Sequence, residues 1–363
     1  MRSQTSIRLV ASTTAMVLAA CGGGASVAPI VGAHPAGAAH STLRPAALGG
    51  HLYVANCGRE CGGSNDGSVT VYAAYGSKLR RTISKGVNDP VALAVDHDGN
   101  LYVANRRASN TITVYAAGTS KLLYTISQGL EHPDALAFDA AGNLYVANYT
   151  NNFQDGYVTV YAPGSTSVLY TIPQGNTRQP TALAFDGSGN LFVADNVPGR
   201  RPSRVKVFAP GSTSALYKIS QGVFNPRALA FDSVGNLYVE NAFVGSSNGA
   251  VTVYAPGSTS PFRTIAEGFD YPVAMVFGGS GNLFVANLLG STVTVYAPGS
   301  GHVLRTISQG VGRPWALAFG GNGDLFVANL SNNTVTVYGT GGTKLLRTIA
   351  QGVNVPDALL VGP

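Results

Sequence analysis

From about residue 45 to the C-terminus, apolar runs of four to seven residues alternate with Gly, Pro, Asn and Ser, and the same order of runs keeps returning. One full unit spans 133–175, PDALAFDAAGNLYVANYTNNFQDGYVTVYAPGSTSVLYTIPQG. It contains four runs: PDALAFD, NLYVAN, VTVYA and VLYTI. Runs this short, rich in β-branched, aromatic and aliphatic residues and bounded by turn chemistry, predict strands rather than helices. The Leu that opens LYVAN or LFVAN falls at Leu52, Leu101, Leu144, Leu191, Leu237, Leu283 and Leu325, at spacings of 49, 43, 47, 46, 46 and 42 residues. A period in the forties with four strands per unit predicts the blades of a propeller, which bury their faces only against one another.

The connections support antiparallel neighbours. Gly-Asn between the first and second runs, as at Gly142-Asn143, suits a tight turn needing positive φ. Ala-Pro-Gly-Ser between the third and fourth, as at Ala162 to Ser165, suits a type II turn in which Pro presets φ and Gly supplies the next corner. Small residues such as Ala135 and Ala137 recur in the first run, as expected of the crowded innermost strand. The fourth run carries Arg80, Arg81, Arg305 and Arg347, as expected of an outer edge. Inner-strand motifs run 90–96, 133–139, 180–186, 226–232, 272–278, 314–320 and 356–362. The last has no blade after it, and the first LYVAN run has only a vestige before it. The predicted fold is therefore all-β: a seven-bladed β-propeller over 45–363, four antiparallel strands per blade, closed by the C-terminal strand joining the first blade.

Composition adds a location. Arg2 and Arg8 precede an apolar stretch, Leu9 to Ala20, too short to span a membrane. The stretch ends Leu18-Ala19-Ala20-Cys21, which resembles the lipobox of bacterial lipoproteins. The expected organisation is a signal peptide over 1–20, then lipidated Cys21 and a flexible Gly/Ala/Pro tether over 21–44. A membrane-anchored lipoprotein of the bacterial cell envelope, facing the periplasm or the surface, follows. In an exported chain, Cys57 and Cys61 read as a local disulfide. The charge of +6 comes from only 11% charged residues. That basicity is too thin and scattered for a nucleic-acid face, and a monomer is expected.

The unit P-x-A-L-A-F-D-x-x-G-N-L-Y-V-A-N followed by V-T-V-Y resembles the NHL repeat. The resemblance covers nearly all of the chain after the tether, and it implies an inner strand first and a shared closing blade. Its members include lyases, lactonases and pure binding platforms, so it implies little about function. Gluconolactonase-like relatives hold a divalent metal with carboxylate and Asn ligands at the channel mouth, where Asp195 and Glu240 would begin such a site. Streptogramin-lyase-like relatives use a His with a metal-binding carboxylate, for which His132 beside Glu131 is the one His on the right face.

Function is expected on the loops after LYVAN, the most variable in length and content. A ring at the channel mouth is expected from Asn56, Asn105, Asn148, Asp195, Glu240, Asn287 and Asn329, either hydrogen-bonding a polar ligand or capping the strands locally. Phe224, Tyr271 and Trp315 would stack on a glycan or peptide, or else belong to the blade cores. Arg106, Arg107, Arg200, Arg201 and Arg204 would attract an anionic partner. Asp96, Asp139, Asp186 and Asp232 read as turn residues on the opposite face. One His and scattered carboxylates fall short of a positioned base, metal and electrophile. The expectation is a non-catalytic binding or interaction scaffold for a protein or glycan partner, without cofactor or metal, the alternative being a metal-dependent lyase or lactonase.

Overall fold

The computed structural model describes residues 50–57, 67–73, 76–106, 109–150, 155–196, 203–242, 249–342 and 344–362. Seven four-stranded antiparallel sheets form the ring of a β-propeller. A single 3₁₀ turn, Thr340–Gly342, is the one helical element among the described residues, and no helix is long and apolar enough to cross a membrane. The predicted signal, Cys21, tether and Cys61 lie outside the described residues, and with Cys61 so does its pairing with Cys57.

Six blades run inner strand to outer strand in chain order, their inner strands being Pro90–Val95, Pro133–Phe138, Pro180–Phe185, Pro226–Phe231, Pro272–Phe277 and Pro314–Phe319. The remaining blade is composite. Its inner strand is the C-terminal Pro356–Gly362, which pairs with His51–Asn56, followed by Ser68–Ala73 and Leu79–Ile83. We call this blade 1 and count onward along the chain. The predicted closure is the one the molecule has.

The turn chemistry is as the sequence requires. Gly142 has φ 81° and Gly164 φ 69°, and the Ser165 N–H donates to Ala162 O at 3.0 Å. At the end opposite the LYVAN loops, Asp139 Oδ1 accepts from the N–H groups of Ala141 and Asn143, while Oδ2 accepts from Asn143 Nδ2. Asp96, Asp186 and Asp232 repeat this pattern, so each carboxylate organises its own hairpin.

Apolar burial lies between blades. Val91, Ala92, Ile112 and Val114 of blade 2 pack with Leu136, Leu144 and Val146 of blade 3, and the other interfaces repeat the arrangement. Fully burying one such aliphatic side chain contributes roughly 1.5–3 kcal/mol. Five of the interfaces add an edge-to-face aromatic pair, such as Tyr102 on Phe138 at 5.1 Å and Phe192 on Phe231 at 5.0 Å between ring centroids. The Tyr that ends VTVY also reaches across: Tyr115 donates to Lys85 O and Tyr254 to Gln221 O, both at 2.6 Å.

Candidate functional site

The second strands end at one face of the ring, and there the Asn side chains act as nodes. Asn105 Oδ1 accepts the Asn88 N–H at 2.9 Å, while Nδ2 donates to Val103 O and to Thr113 Oγ1 on the third strand. Asn56, Asn148, Asn287 and Asn329 make equivalent bonds, and each is at most 1% exposed. Each node ties its second strand to the third and to the loop leading into the inner strand through polar atoms already engaged within the chain.

Two blades depart from this pattern. In blade 4, Asp195 stands at the node and Lys206 at the Thr position. Its Oδ1 accepts the N–H groups of Arg178 and Gln179, and its Oδ2 lies 3.6 Å from Arg204 Nε and 4.0 Å from Lys206 Nζ. Burial pushes the Asp195 carboxyl up against these partners, and desolvation pulls Lys206 down. In blade 5 the node is Asn241, which accepts the Phe224 N–H and donates to Thr252 Oγ1. Glu240 stands one residue earlier, opposite Ala228 and in the position that the other blades fill with Ala55, Ala104, Ala147, Ala194, Ala286 and Ala328. It is fully buried, and neither carboxyl oxygen has a hydrogen-bond partner. Burial lifts it well above the ordinary carboxyl range, and Arg227 pulls it only partly back.

Sequence reasoning missed a second ring. Every inner strand slips register by one residue directly after its opening Pro, leaving the next residue outside the ladder. Bulges of this kind re-aim a side chain and recur beside functional sites. The bulged residues are Val91, Asp134, Thr181, Arg227, Val273, Trp315 and Asp357. Within the otherwise uniform P-x-A-L-A-F motif this is the position that varies most, and that variability was the available signal.

The backbone leading into the bulges is unusual too. Asp89, His132, Asn225, Tyr271, Arg313 and Val355, each just before the opening Pro, have φ between 41° and 57°. Left-handed backbone is costly for non-glycine residues and persists only where its surroundings impose it. Here the preceding blade imposes it: Asn110, Ser203, Ser291 and Asn333 accept the N–H groups of His132, Asn225, Arg313 and Val355. The pre-Pro carbonyls are held in turn, as Asp89 O is by the Arg106 N–H.

The result is a charged channel mouth on a rigid frame. Buried Arg106 donates to Asp134 Oδ1 at 2.8 Å, with its Nε 3.9 Å from Asp89 Oδ2. Asp89 Oδ1 also lies 3.1 Å from the sulfur of Cys57. Arg227 donates to the Tyr271 hydroxyl at 3.2 Å and lies over its ring. Burial pushes Asp134 up to about 6 and Asp357 up to about 7, in both cases against the pull of Arg106. Asp134 Oδ2 and Trp315 Nε1 are buried without hydrogen-bond partners.

The remaining sequence candidates separate. Trp315 belongs to the core between blades 6 and 7, whereas Phe224 is half-exposed. His132 stacks on Tyr149 at 5.3 Å. Arg106 is consumed by internal ion pairs, Arg204 faces Asp195, and Arg107, Arg200 and Arg201 lie outside the described residues. No group of three or more His, Cys, Asp or Glu among the described residues is placed to hold a metal ion. On the opposite face, a cavity of 230 Å³ between blades 4 and 5 is lined by Phe192, Tyr217, Phe231 and Tyr254.

No known family model matches the chain, and no curated protein does. Solved structures do. A Lactobacillus plantarum protein superposes with a TM-score of 0.68 at 18% identity, covering 86% of this chain and 99% of that one. A proposed 6-phosphogluconolactonase from Bacteroides fragilis gives 0.66 at 18% identity over 87% and 98%. Hydrazine synthase of Kuenenia stuttgartiensis gives 0.63 at 18% identity over 76% and 90%. At this identity the likeness is one of fold, and it sets this chain among the seven-bladed β-propellers.

Proposed function

We propose that the chain is an exported, lipid-anchored NHL-like propeller that acts as a non-catalytic binding scaffold in the bacterial cell envelope, taking its protein or glycan partner at the channel mouth. One observation carries the binding reading: a uniform frame carries bulged residues of unlike chemistry at the same end of every inner strand, and of these Arg227 and Asp357 are partly exposed while Val91, Val273 and Trp315 pack into the blade cores. Rigid scaffolds with variable rims are how repeat folds make recognition surfaces. The anchor rests on Cys21 directly after Leu18-Ala19-Ala20.

Binding of the full chain to isolated envelope polysaccharide and to envelope proteins, measured by surface plasmon resonance, tests this. Arg227→Ala together with Asp357→Ala should weaken the interaction at least tenfold while leaving the melting temperature within a few degrees. Unchanged affinity would move the partner away from the channel mouth. One equivalent of tightly held divalent metal, with a melting temperature that falls on chelation, would replace the scaffold by a metal-dependent lactonase or lyase.

A further inference from the structure

Repeat proteins allow an internal comparison, because each blade shows what its position needs for folding alone. Toward the face opposite the channel mouth, every blade sets the second residue of its LYVAN or LFVAN strand level with one residue of its outer strand, across the third strand. Blades 2 and 3 put Tyr at both places, and the hydroxyls meet at 2.8 Å, Tyr102 with Tyr124 and Tyr145 with Tyr170. Blades 5 and 6 put Arg on the outer strand, and it reaches the turn of the next blade. A Cβ on Gly299 would lie 3.8 Å from Arg263 Nη1, and one on Gly341 would lie 3.6 Å from Arg305 Nη2. Arg305 also stands over the Phe284 ring, 5.9 Å from its centroid. In those two crevices the chain itself supplies a flat cation.

Blade 4 alone pairs Phe with Tyr, Phe192 with Tyr217. Phe192 offers no hydroxyl, and the Tyr217 hydroxyl makes no hydrogen bond among the described residues. In the facing turn of blade 5, a Cβ on Gly257 would meet nothing within 4 Å. Here lies the 230 Å³ cavity, lined by the rings of Phe192, Tyr217, Phe231 and Tyr254, with Asp186 among its polar groups. An apolar cavity of about 150 Å³ already holds benzene, so the space suits a small organic molecule. No Lys, Arg or His lines it, and an anion would meet only the Asp186 carboxylate. That carboxylate already accepts from the N–H groups of Ser188 and Asn190 and from Asn190 Nδ2, so it has little left for a ligand rich in N–H. Several aromatic rings beside a carboxylate whose acceptors are engaged suit a cation that brings no N–H at all, which is a quaternary ammonium.

We propose that the crevice between blades 4 and 5 is a binding site, separate from the channel mouth, for a small quaternary ammonium of the choline kind. Its methyl groups lie against the rings of Phe192, Tyr217, Phe231 and Tyr254, its charge near Asp186, and its hydroxyl meets that of Tyr217.

Choline chloride is the probe, with its uncharged isostere dimethylbutanol and potassium chloride at equal ionic strength as controls. Titration calorimetry and melting curves on the full chain give the readouts. Choline should bind saturably and the isostere at least tenfold more weakly. Tyr217→Arg gives blade 4 the outer-strand residue of blades 5 and 6. It should fill the crevice and weaken choline at least tenfold, while the unliganded melting temperature stays within a few degrees. Tyr217→Ala, which removes the ring without filling the space, should weaken choline at least fivefold, and it decides the matter if the Arg chain fails to fold. The channel-mouth variant, Arg227→Ala with Asp357→Ala, should bind choline as the parent does. Absence of saturable binding overturns the proposal, as do equal affinity for the isostere, an equal response to potassium, or unchanged choline affinity in Tyr217→Ala. Choline binding lost in the channel-mouth variant also overturns it, because the ammonium would then sit at the mouth.

Discussion

Asn329 makes four hydrogen bonds from a fully buried side chain: one accepted from the Gly312 N–H, and donations to Val327 O, Thr334 Oγ1 and Thr336 Oγ1. Asn329→Ala leaves those groups without partners in a dry environment, where each orphan costs about 1–3 kcal/mol before relaxation. We expect a loss of roughly 3 kcal/mol in urea unfolding, and a much smaller loss for an exposed residue such as Asn322. At this scale the sequence was partly legible. The recurrent Asn was visible as a ring, but the expectation took Glu240 for blade 5, one residue short of the frame counted from Leu237, and the structure puts Asn241 at the node. What a single strand could not reveal is that the amides face Thr113 and its counterparts, because that contact lies across a ladder.

Each blade meets the next where the third strand begins, and two kinds of residue solve the same problem there. Asn110, Ser203, Ser291 and Asn333 reach over to cap the next blade's pre-Pro N–H. Gly67, Gly156 and Gly249 instead let the next blade's Pro close in, so that a Cβ on Gly156 would collide with Pro180 and with Arg178 O and come within 2.6 Å of Asn148 O. Gly156→Ala should therefore destabilise by about 2–3 kcal/mol, an overpacking cost, and calorimetric melting would show it. Strand order and turns were readable from short-range chemistry such as Ala162-Pro163-Gly164-Ser165. The bulges were not, because a bulge is a mismatch between two strands. Only the uneven second residue of P-x-A-L-A-F hinted at it.

For the whole molecule, the charged mouth links stability to acidity. Asp134 and Asp357 hold protons more tightly in the folded ring, at about 6 and about 7, than at their ordinary value of 3.8. Their contribution to stability is therefore fully present below about pH 4 and is lost as pH rises through about 7. Melting temperature should fall between about pH 4 and about pH 7, and Asp357→Asn should flatten the decline. A slope of the opposite sign would mean that the carboxylates are ionised and well paired in the fold.

The join between the chain's ends has a consequence for manufacture. His51 pairs with Gly362 and Ala55 with Ala358, so among the described residues the first strand, His51–Asn56, waits for the last, Pro356–Gly362, before its blade is complete. Until then Leu52 and Val54 lack Leu359, and the edge of His51–Asn56 stands open to any passing strand. Blades 2 to 7 can form as they are made, but the circle is sealed only by the final residues. A chain lacking Pro356–Gly362 would keep that edge of His51–Asn56 unpaired and open to the strands of other molecules.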